Sequence, residues 1–374
     1  MTETTTEVER ADLRASIRAL LTAKSTGEQV LRAVEQPHGH DELLWKRMSE
    51  DLGLQSLSLP EAHGGDGFGQ LELSVVLGEL GRAVLPGPFF SSVVLAGSAL
   101  VASGDEAAQA AHLPGIASGE VIATLAVIEH DGGWRTDGFL TSAVSTPGGW
   151  LLRGEKALVP DGDIADLLLV AADTESGPTL FAIDARDPGL TRTPLRTLDL
   201  TRRTAQVRFR DVAAVPVGPL GGATEILDQV LDRASIALAA EQVGAARACL
   251  EMSTAYARER MQFGRAIGSF QAIKHKCADM FARIELAEAA VVEAVRAADG
   301  ADDAPPLGVA AAVAHSVCSD AFMFVATENI QVHGGIGFTW DHPAHLYFRR
   351  AKATQMMFGG PGVYFERLLA QLGV

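Results

Sequence analysis

The spacing of apolar residues changes character twice along the 374-residue chain. In the first block, residues 7–117, apolar residues recur at the period of an α-helix. Leu44, Met48 and Leu52 are the clearest case, because positions four residues apart fall on one face of a helix. Gly53 follows them as a stop signal. The first block is therefore predicted to be helical.

The second block, residues 118–217, replaces the helical period with short apolar or alternating runs. Asp-Gly and Gly-Gly pairs, which favour turns, separate these runs. Many short strands joined by turns are typical of an antiparallel barrel or sandwich. The predicted strands are 120–129, 149–159, 165–173, 178–185 and 205–212.

The third block is helical again, and its helices are long. The first helix is predicted over residues 224–260, with Gly244 as a candidate break. The next two helices are predicted over 269–299 and 308–333, and a fourth follows Pro343. Four long helices with short connections indicate a bundle. The predicted fold is α+β, with a helical domain (1–117), a β-barrel domain (118–217) and a four-helix bundle (218–374).

Composition narrows the class of protein. The formal net charge is −16 and lysine and arginine form no cluster, which argues against a nucleic-acid binder. No stretch reaches the ~18 uninterrupted apolar residues of a membrane span. The first ten residues are polar and acidic, unlike a secretory signal. The three cysteines are widely spaced without a CxxC pair, which favours a reducing cytoplasm over disulfides or zinc. The ten histidines show no metal-binding spacing, so no metal site is predicted.

Two motifs near the end of the chain carry candidate chemistry. In the second, QVHGGIGF (331–338), Gly334 and Gly335 let a backbone approach a diphosphate closely, because no Cβ intervenes. Gln331, one turn earlier, carries an amide that both donates and accepts. The alternative is an ordinary glycine at a helix C-terminus.

The first motif, YARERMQFGRAIGSFQAIKH (256–275), places Arg260 directly after a helical stretch. The planar guanidinium of arginine suits a diphosphate. The alternative is an arginine that complements the helix dipole. Gln271 offers an amide to a nucleotide or to solvent, and Phe263, taken alone, favours a core position.

Together the motifs resemble the acyl-CoA dehydrogenase family. The resemblance rests on residues 258–280, 329–352 and 44–83, and it spans about residues 40–360 in the family's order. It implies a helical domain, a middle β-barrel and a C-terminal four-helix bundle. It also implies FAD and, usually, a tetramer built as a dimer of dimers.

The resemblance gives roles to seven residues. In the family these positions hold the diphosphate and adenosine of a flavin whose ring lies in a neighbouring subunit. The implied cofactor-binding residues are Arg260, Gln262, Phe263, Gln271, Gln331, Gly334 and Gly335. The family's barrel also carries two runs with threonine and serine hydroxyls that touch the flavin ring. Here those runs read VIEHDGGW (127–134) and ALVPDG (157–162), and the hydroxyls are absent.

The family reaction needs a base that this chain lacks at the usual place. A proton leaves the carbon α to a thioester while a hydride passes from the β carbon to the flavin, so a carboxylate must face the α carbon. Aligned on Arg350-Ala351-Lys352, the position of the usual glutamate holds Phe358. Phenylalanine cannot accept a proton.

Some members place the base on the first bundle helix, and that position here is Ala234. Asp232 points to another side of the helix. Glu241 lies seven residues on, on the same stripe and about 10 Å along the axis. Small apolar neighbours are expected to raise its pKa, which suits a base. We predict Glu241 as the catalytic residue; the alternative is that it pairs with an arginine such as Arg247 or faces a partner chain.

Four functions remain open. The first is a subunit of an FAD-dependent acyl-CoA dehydrogenase paired with a related chain, as in the α2β2 steroid side-chain enzymes of actinobacteria that the tail of this chain resembles. The second is a homotetrameric dehydrogenase with a relocated base. The third is a catalytically silent subunit that completes a partner's flavin site, and the fourth is a flavin monooxygenase on the same fold. The resemblance implies an acyl-CoA thioester substrate and an electron-transfer flavoprotein as acceptor.

Overall fold

The computed structural model describes residues 3–373. The helices are α1 (Glu3–Lys24), α2 (Gly27–Val34), α3 (Glu42–Glu50), α4 (Gln70–Arg82), a π-helix (Phe90–Gly97) that continues into α5 (Ser98–Ala102), α6 (Glu106–Ala117), α7 (Ala223–Glu259), α8 (Gln271–Ala298), α9 (Leu307–His333), α10 (Ala344–Met356) and α11 (Pro361–Gln371). The strands are β1 (Ala123–Ala126), β2 (Ser142–Thr146), β3 (Gly149–Pro160), β4 (Leu167–Ala172), β5 (Thr179–Asp184), β6 (Leu190–Pro194), β7 (Thr204–Val217), β8 (Met261–Gln262) and β9 (Arg265–Ala266).

The helix predicted from the stripe at 44–52 is α3. Asp41 caps its N-terminus, accepting the Leu44 N–H at 3.0 Å. Leu44 and Met48 are buried, as the stripe requires. The helix ends two residues before Leu52, and Gly53 follows with a φ of 60°, the left-handed conformation that glycine adopts without steric cost.

The middle of the chain forms one seven-stranded sheet in the order β1–β4–β5–β7–β3–β2, with β6 also paired to β7. The prediction of a sheet domain is confirmed, but the prediction of a purely antiparallel one is wrong. β1 runs parallel to β4, with Ala123 opposite Leu167. Both strands are entirely buried, as parallel strands usually are. Strands β2 and β6 were not among the five predicted, because both are short and polar.

The bundle is built around α7 and α9, which run parallel. Gln242 donates to Ser319 at 3.1 Å, and Ser253 donates to Asn329 at 2.8 Å. The later residue of α7 meets the later residue of α9, so the two helices run in the same direction. α7 continues through Gly244 without a break. A Cβ there would lie 1.9 Å from a backbone oxygen of α4, so the glycine permits close packing of two helices rather than ending one.

Within residues 3–373, one helical stretch, Leu307–Phe338, is long and apolar enough to span a membrane by length and composition. It contains α9, which packs against α7, α8, α10 and α11. Of its most apolar window, 61% is buried inside the protein. These contacts are those of a central helix in the bundle.

Candidate cofactor and substrate site

The first motif forms a tight hairpin just after α7. Gln262 in β8 pairs with Arg265 in β9, so the loop holds only Phe263 and Gly264. Both loop residues have positive φ, 54° and 76°, as a type I′ turn requires. Phe263 stands at the tip and is 92% exposed. The prediction that Phe263 lies in the core is therefore wrong.

The second motif lies at the same end of the bundle. The rings of Tyr256, near the end of α7, and His333, at the end of α9, have centroids 4.5 Å apart. α9 then stops at Gly334, whose φ is 65°. Because α7 and α9 are parallel and α8 starts where the hairpin ends, the two motifs share one end of the bundle, which we call the bundle end (residues 256–275 and 331–340).

The predicted cofactor-binding residues at the bundle end are exposed. Among the described residues, no side-chain hydrogen bond engages Arg260, Gln262, Gln271 or Gln331. A Cβ built on Gly335 would meet no atom within 4 Å, and the same holds at Gly334. The bundle end therefore presents a cation, three amides and open backbone, which suit a diphosphate and a nucleoside.

A second feature, the interdomain cavity, lies between the sheet and the helices. Its volume is about 340 Å³. Both of the runs that lack the expected hydroxyls contribute to it, as does the position of the missing glutamate. Its lining residues are Leu95, Leu125, Val127, Ile128, Gly132, Trp134, Leu158, Pro160, Thr197, Leu198, Asp199, Arg202, Thr204, Lys352, Ala353, Met356, Met357 and Phe358.

Phe358 forms an aromatic wall of this cavity. Its ring stacks on Phe90, with centroids 6.2 Å apart, and forms a T-shaped pair with Trp134, with centroids 5.1 Å apart. Its side chain is buried, and its φ of 64° is left-handed. A non-glycine residue in that conformation costs on the order of 1 kcal/mol, so the aromatic packing holds it there.

The loop that carries Trp134 is tied to the sheet by a buried ion pair. Glu129 accepts the Leu140 and Thr141 N–H groups at 2.8 and 2.9 Å and the Lys156 ammonium at 2.9 Å. Burial raises the pKa of Glu129, but these hydrogen bonds outweigh it and lower the pKa to about 2. The carboxylate is thus charged and fixes both ends of the loop.

Glu241 is placed differently from our expectation. Its carboxylate accepts two hydrogen bonds from Arg202, at 2.6 and 2.7 Å, and one from Arg350 at 2.5 Å. Burial raises the pKa of Glu241, but the positive charges of Arg202 and Arg350 more than offset it, so the pKa is lowered. The expected raised pKa is wrong. Arg247 pairs instead with Glu285 and Glu288.

The other candidate position on α7 also lacks a base. Ala234 is fully buried. Asp232 is held by Arg367 at 2.7 Å. The role of Glu241 as base stays a prediction, but the physical reason for it, a carboxylate that holds a proton readily, is gone.

Sequence reasoning missed the residues that shape the interdomain cavity. Arg202 lies between two strands in a segment without a motif, and only the folded chain brings it to Glu241, 39 residues away. In the sequence, Arg350 only marked the position from which residue 358 was located, and no role was predicted for it. Its guanidinium is buried, donating to Asp199 at 2.7 Å and to the Thr201 hydroxyl at 2.6 Å. Trp134 lies in the run 127–134, which lacks the hydroxyls expected from the family, and nothing in the sequence predicted its contact with Phe358.

The two features fit an FAD unequally. The bundle end fits the ADP half, because its donors are free and its glycines are open. The interdomain cavity fits the polar edge of a flavin ring poorly: the two degraded runs supply no side-chain hydroxyl to it, and its inner surface is mainly apolar. No group of three or more potential metal ligands occurs in the part of the chain that the structure describes.

A helical domain, a sheet domain and a bundle whose exposed end suits a nucleotide are together the architecture of a flavin-dependent dehydrogenase of thioesters. The chain belongs to the acyl-CoA dehydrogenase family, whose members are oxidoreductases acting on CH–CH bonds. The family's N-terminal domain matches residues 7–120, and its C-terminal domain matches residues 221–372.

Relatives cover nearly the whole chain. Acyl-CoA dehydrogenase IpdE2 of Mycolicibacterium smegmatis is 35% identical over 367 residues, which are 97% of this chain and 99% of the relative. A structure of the Tcur3481–Tcur3483 steroid ACAD is 34% identical, covers 98% of both chains and has a TM-score of 0.87. The ChsE4–ChsE5 complex from Mycobacterium tuberculosis is 32% identical, covers 100% of this chain and 98% of that one, and also has a TM-score of 0.87.

Proposed function

We propose that this chain is one subunit of a heteromeric acyl-CoA dehydrogenase, and that it holds the ADP half of an FAD at its bundle end. The observation that carries the proposal is the contrast between an open, unpaired nucleotide grip and a base position filled by Phe358. In this arrangement the catalytic carboxylate comes from a related partner chain. A bound FAD would supply hydride acceptance; this chain's residues bind its diphosphate and adenosine.

The surface around the bundle end supports a partner chain. Phe263, Phe338 and Trp340 are 92%, 71% and 57% exposed, close to the residues that suit the nucleotide. Aromatic side chains exposed in one region mark interaction surfaces. Two of the solved relatives carry names of paired chains, Tcur3481–Tcur3483 and ChsE4–ChsE5. An α2β2 assembly accommodates one partner per chain; a homotetramer is the alternative.

We propose a CoA thioester with a bulky apolar acyl group, of the steroid class, as the substrate. The interdomain cavity is lined mainly by aliphatic, methionine and aromatic side chains, and one similar structure, Tcur3481–Tcur3483, is named a steroid ACAD. Turnover of a steroid-CoA side chain should exceed that of butyryl-CoA in the assembled complex. The electron acceptor expected from the family is an electron-transfer flavoprotein. The three cysteines are free, which fits a cytoplasmic protein.

The first experiment compares the chain expressed alone with the chain co-expressed with a related acyl-CoA dehydrogenase gene. Flavin absorbance per polypeptide and native mass are measured for both. Little flavin alone and a stoichiometric flavoprotein with the partner support the proposal. About one FAD per chain in a homotetramer would overturn it in favour of the homotetrameric enzyme.

A variant pair tests the nucleotide grip. Arg260→Gln should lower the flavin content of the complex, because a diphosphate loses its cationic partner. Arg258→Gln is the matched control, since Arg258 is also exposed and lies two residues earlier on the chain. Equal flavin content in the two variants would contradict the role of Arg260.

A further inference from the structure

We infer that Glu241 is a positioning residue: through Arg202 it fixes the corner formed by Met357 and Phe358, and thereby the aromatic wall of the interdomain cavity. The inference deepens the proposed function, because it concerns the cavity in which we place the acyl group. It also replaces the role of base that the sequence suggested for Glu241.

Arg202 is the centre of this arrangement, because its guanidinium reaches three parts of the molecule at once. One nitrogen donates both bonds to Glu241 on α7, and the other donates to the Met357 sulfur at 3.4 Å. The same guanidinium lies 4.6 Å from the centroid of Phe90, as a cation over an aromatic face. Met357 precedes Phe358, and Phe90 stacks on Phe358. Arg202 therefore contacts both the residue that precedes Phe358 and the ring that stacks on it.

Glu241 in turn determines where Arg202 lies. Both oxygens of the Glu241 carboxylate accept from one terminal nitrogen of Arg202, and the other terminal nitrogen is thereby left facing Met357. Arg350 holds the same carboxylate from the other side and is itself fixed by Asp199 and Thr201. Asp199 also lines the cavity. The two arginines and the two carboxylates balance in charge, and all but Arg202 are buried, so each buried charge has a partner of opposite sign.

The corner needs such support. Phe358 has a left-handed backbone, and Gly359 follows with a φ of 112°. Glycine adopts a positive φ without steric cost, but a non-glycine residue such as Phe358 persists there only when its surroundings determine it. A corner without the Arg202 contact can relax, and the ring of Phe358 then leaves its T-shaped contact with Trp134.

Trp134 supplies a probe that needs neither cofactor nor partner. The full chain is labelled with 5-fluorotryptophan, and its ¹⁹F spectrum is assigned with Trp134→Phe among the four tryptophans. Glu241→Gln is expected to shift and broaden the Trp134 resonance. Arg202→Lys should do the same while keeping a positive charge beside Glu241, so it serves if the first variant does not fold. Arg247→Gln, on the same helix but paired with Glu285 and Glu288, should leave the resonance unchanged.

An unmoved Trp134 resonance in folded Glu241→Gln and Arg202→Lys would overturn the inference. So would a loss of kcat of roughly a hundredfold or more in Glu241→Gln with an unmoved resonance, which is the signature of a base. In the assembled complex, a positioning role predicts that Glu241→Gln and Arg202→Lys raise KM together. Because the spectrum is recorded on the chain itself, failure of the proposed dehydrogenase function would leave this measurement intact.

Discussion

Trp134 and Phe358 form a T-shaped pair, with ring centroids 5.1 Å apart and ring planes at 89°. Trp134 comes from the loop after β1, and Phe358 lies just after α10, so the contact joins the sheet domain to the bundle. Edge-to-face pairs add about 0.5–1.5 kcal/mol beyond the burial of their area. The position that the resemblance aligns with the family's catalytic carboxylate is here part of an aromatic core.

At position 358, the glycine variant should be more stable than the alanine variant. Phe358→Ala is expected to lower the free energy of unfolding by ~3–5 kcal/mol, through loss of a buried ring. Phe358→Gly should cost up to ~1 kcal/mol less than Phe358→Ala, because glycine has no steric penalty at a φ of 64°. Urea unfolding monitored by circular dichroism measures both.

Phe90 provides the control for this order. It is also buried and stacks on Phe358, but it lies in a helical segment. There Phe90→Gly should be the less stable variant, by ~1 kcal/mol relative to Phe90→Ala. The same order at both positions would show that the backbone of Phe358 is not strained.

Asp161 should lower the free energy of unfolding as the pH rises. This carboxyl accepts a hydrogen bond from Ser91 at 2.6 Å, and burial raises its pKa to about 6. A folded-state pKa above the unfolded value means that this group's contribution is complete below about pH 4 and is lost as the pH rises through 6. The loss amounts to about 3 kcal/mol. Asp161→Asn should therefore unfold at a higher urea concentration than the parent at pH 7.5, and the advantage should shrink toward pH 4.

Asp184 is the contrasting site. Arg186 holds the pKa of this exposed carboxyl at about 2, so its charged form is the favoured one in the folded chain. Asp184→Asn should give no gain in stability at pH 7.5. A gain at both sites would point to net charge rather than burial as the cause.

Two adjacent arginines should differ sharply in their effect on folding. Arg350→Leu leaves Glu241 and Asp199 in the core with one cation fewer, which is expected to cost ~3–5 kcal/mol. Arg349 is partly exposed and donates to the Leu198 carbonyl at 3.2 Å. Arg349→Leu should cost less than ~1 kcal/mol. Guanidinium unfolding midpoints, compared at constant slope, measure the difference.

Adding side chains to two open glycines separates folding from nucleotide binding. Gly335→Val should leave the unfolding temperature of the chain unchanged, because no atom lies within 4 Å of the new Cβ. It should lower flavin content in the assembled complex, since the backbone there is no longer open to a diphosphate. Gly362→Val, at an equally open site on α11, is the control and should keep its flavin. Full flavin content in Gly335→Val would contradict the predicted grip.

The helical and sheet regions could be predicted from the sequence because burial imposes a local period. The spacing of Leu44 and Met48 predicted α3. The small apolar residues of α7 predicted a long helix there. The bundle end was also legible, since the residues that suit a nucleotide lie close together in two short segments. Two local predictions were wrong: the break at Gly244 and the core position of Phe263. They were wrong because the surroundings of a residue come from other parts of the chain.

The sequence by itself determined the order of the helical and sheet regions, the two motifs predicted to bind a nucleotide, and the absence of a carboxylate at position 358. Only the tertiary structure decided that β1 is parallel to β4, and that Glu241 pairs with Arg202 and Arg350, 39 and 109 residues away. Periodicity records whether a residue is buried, which is a property of its own element. It does not record which charge or ring meets that residue in the core, because that choice depends on how distant elements pack.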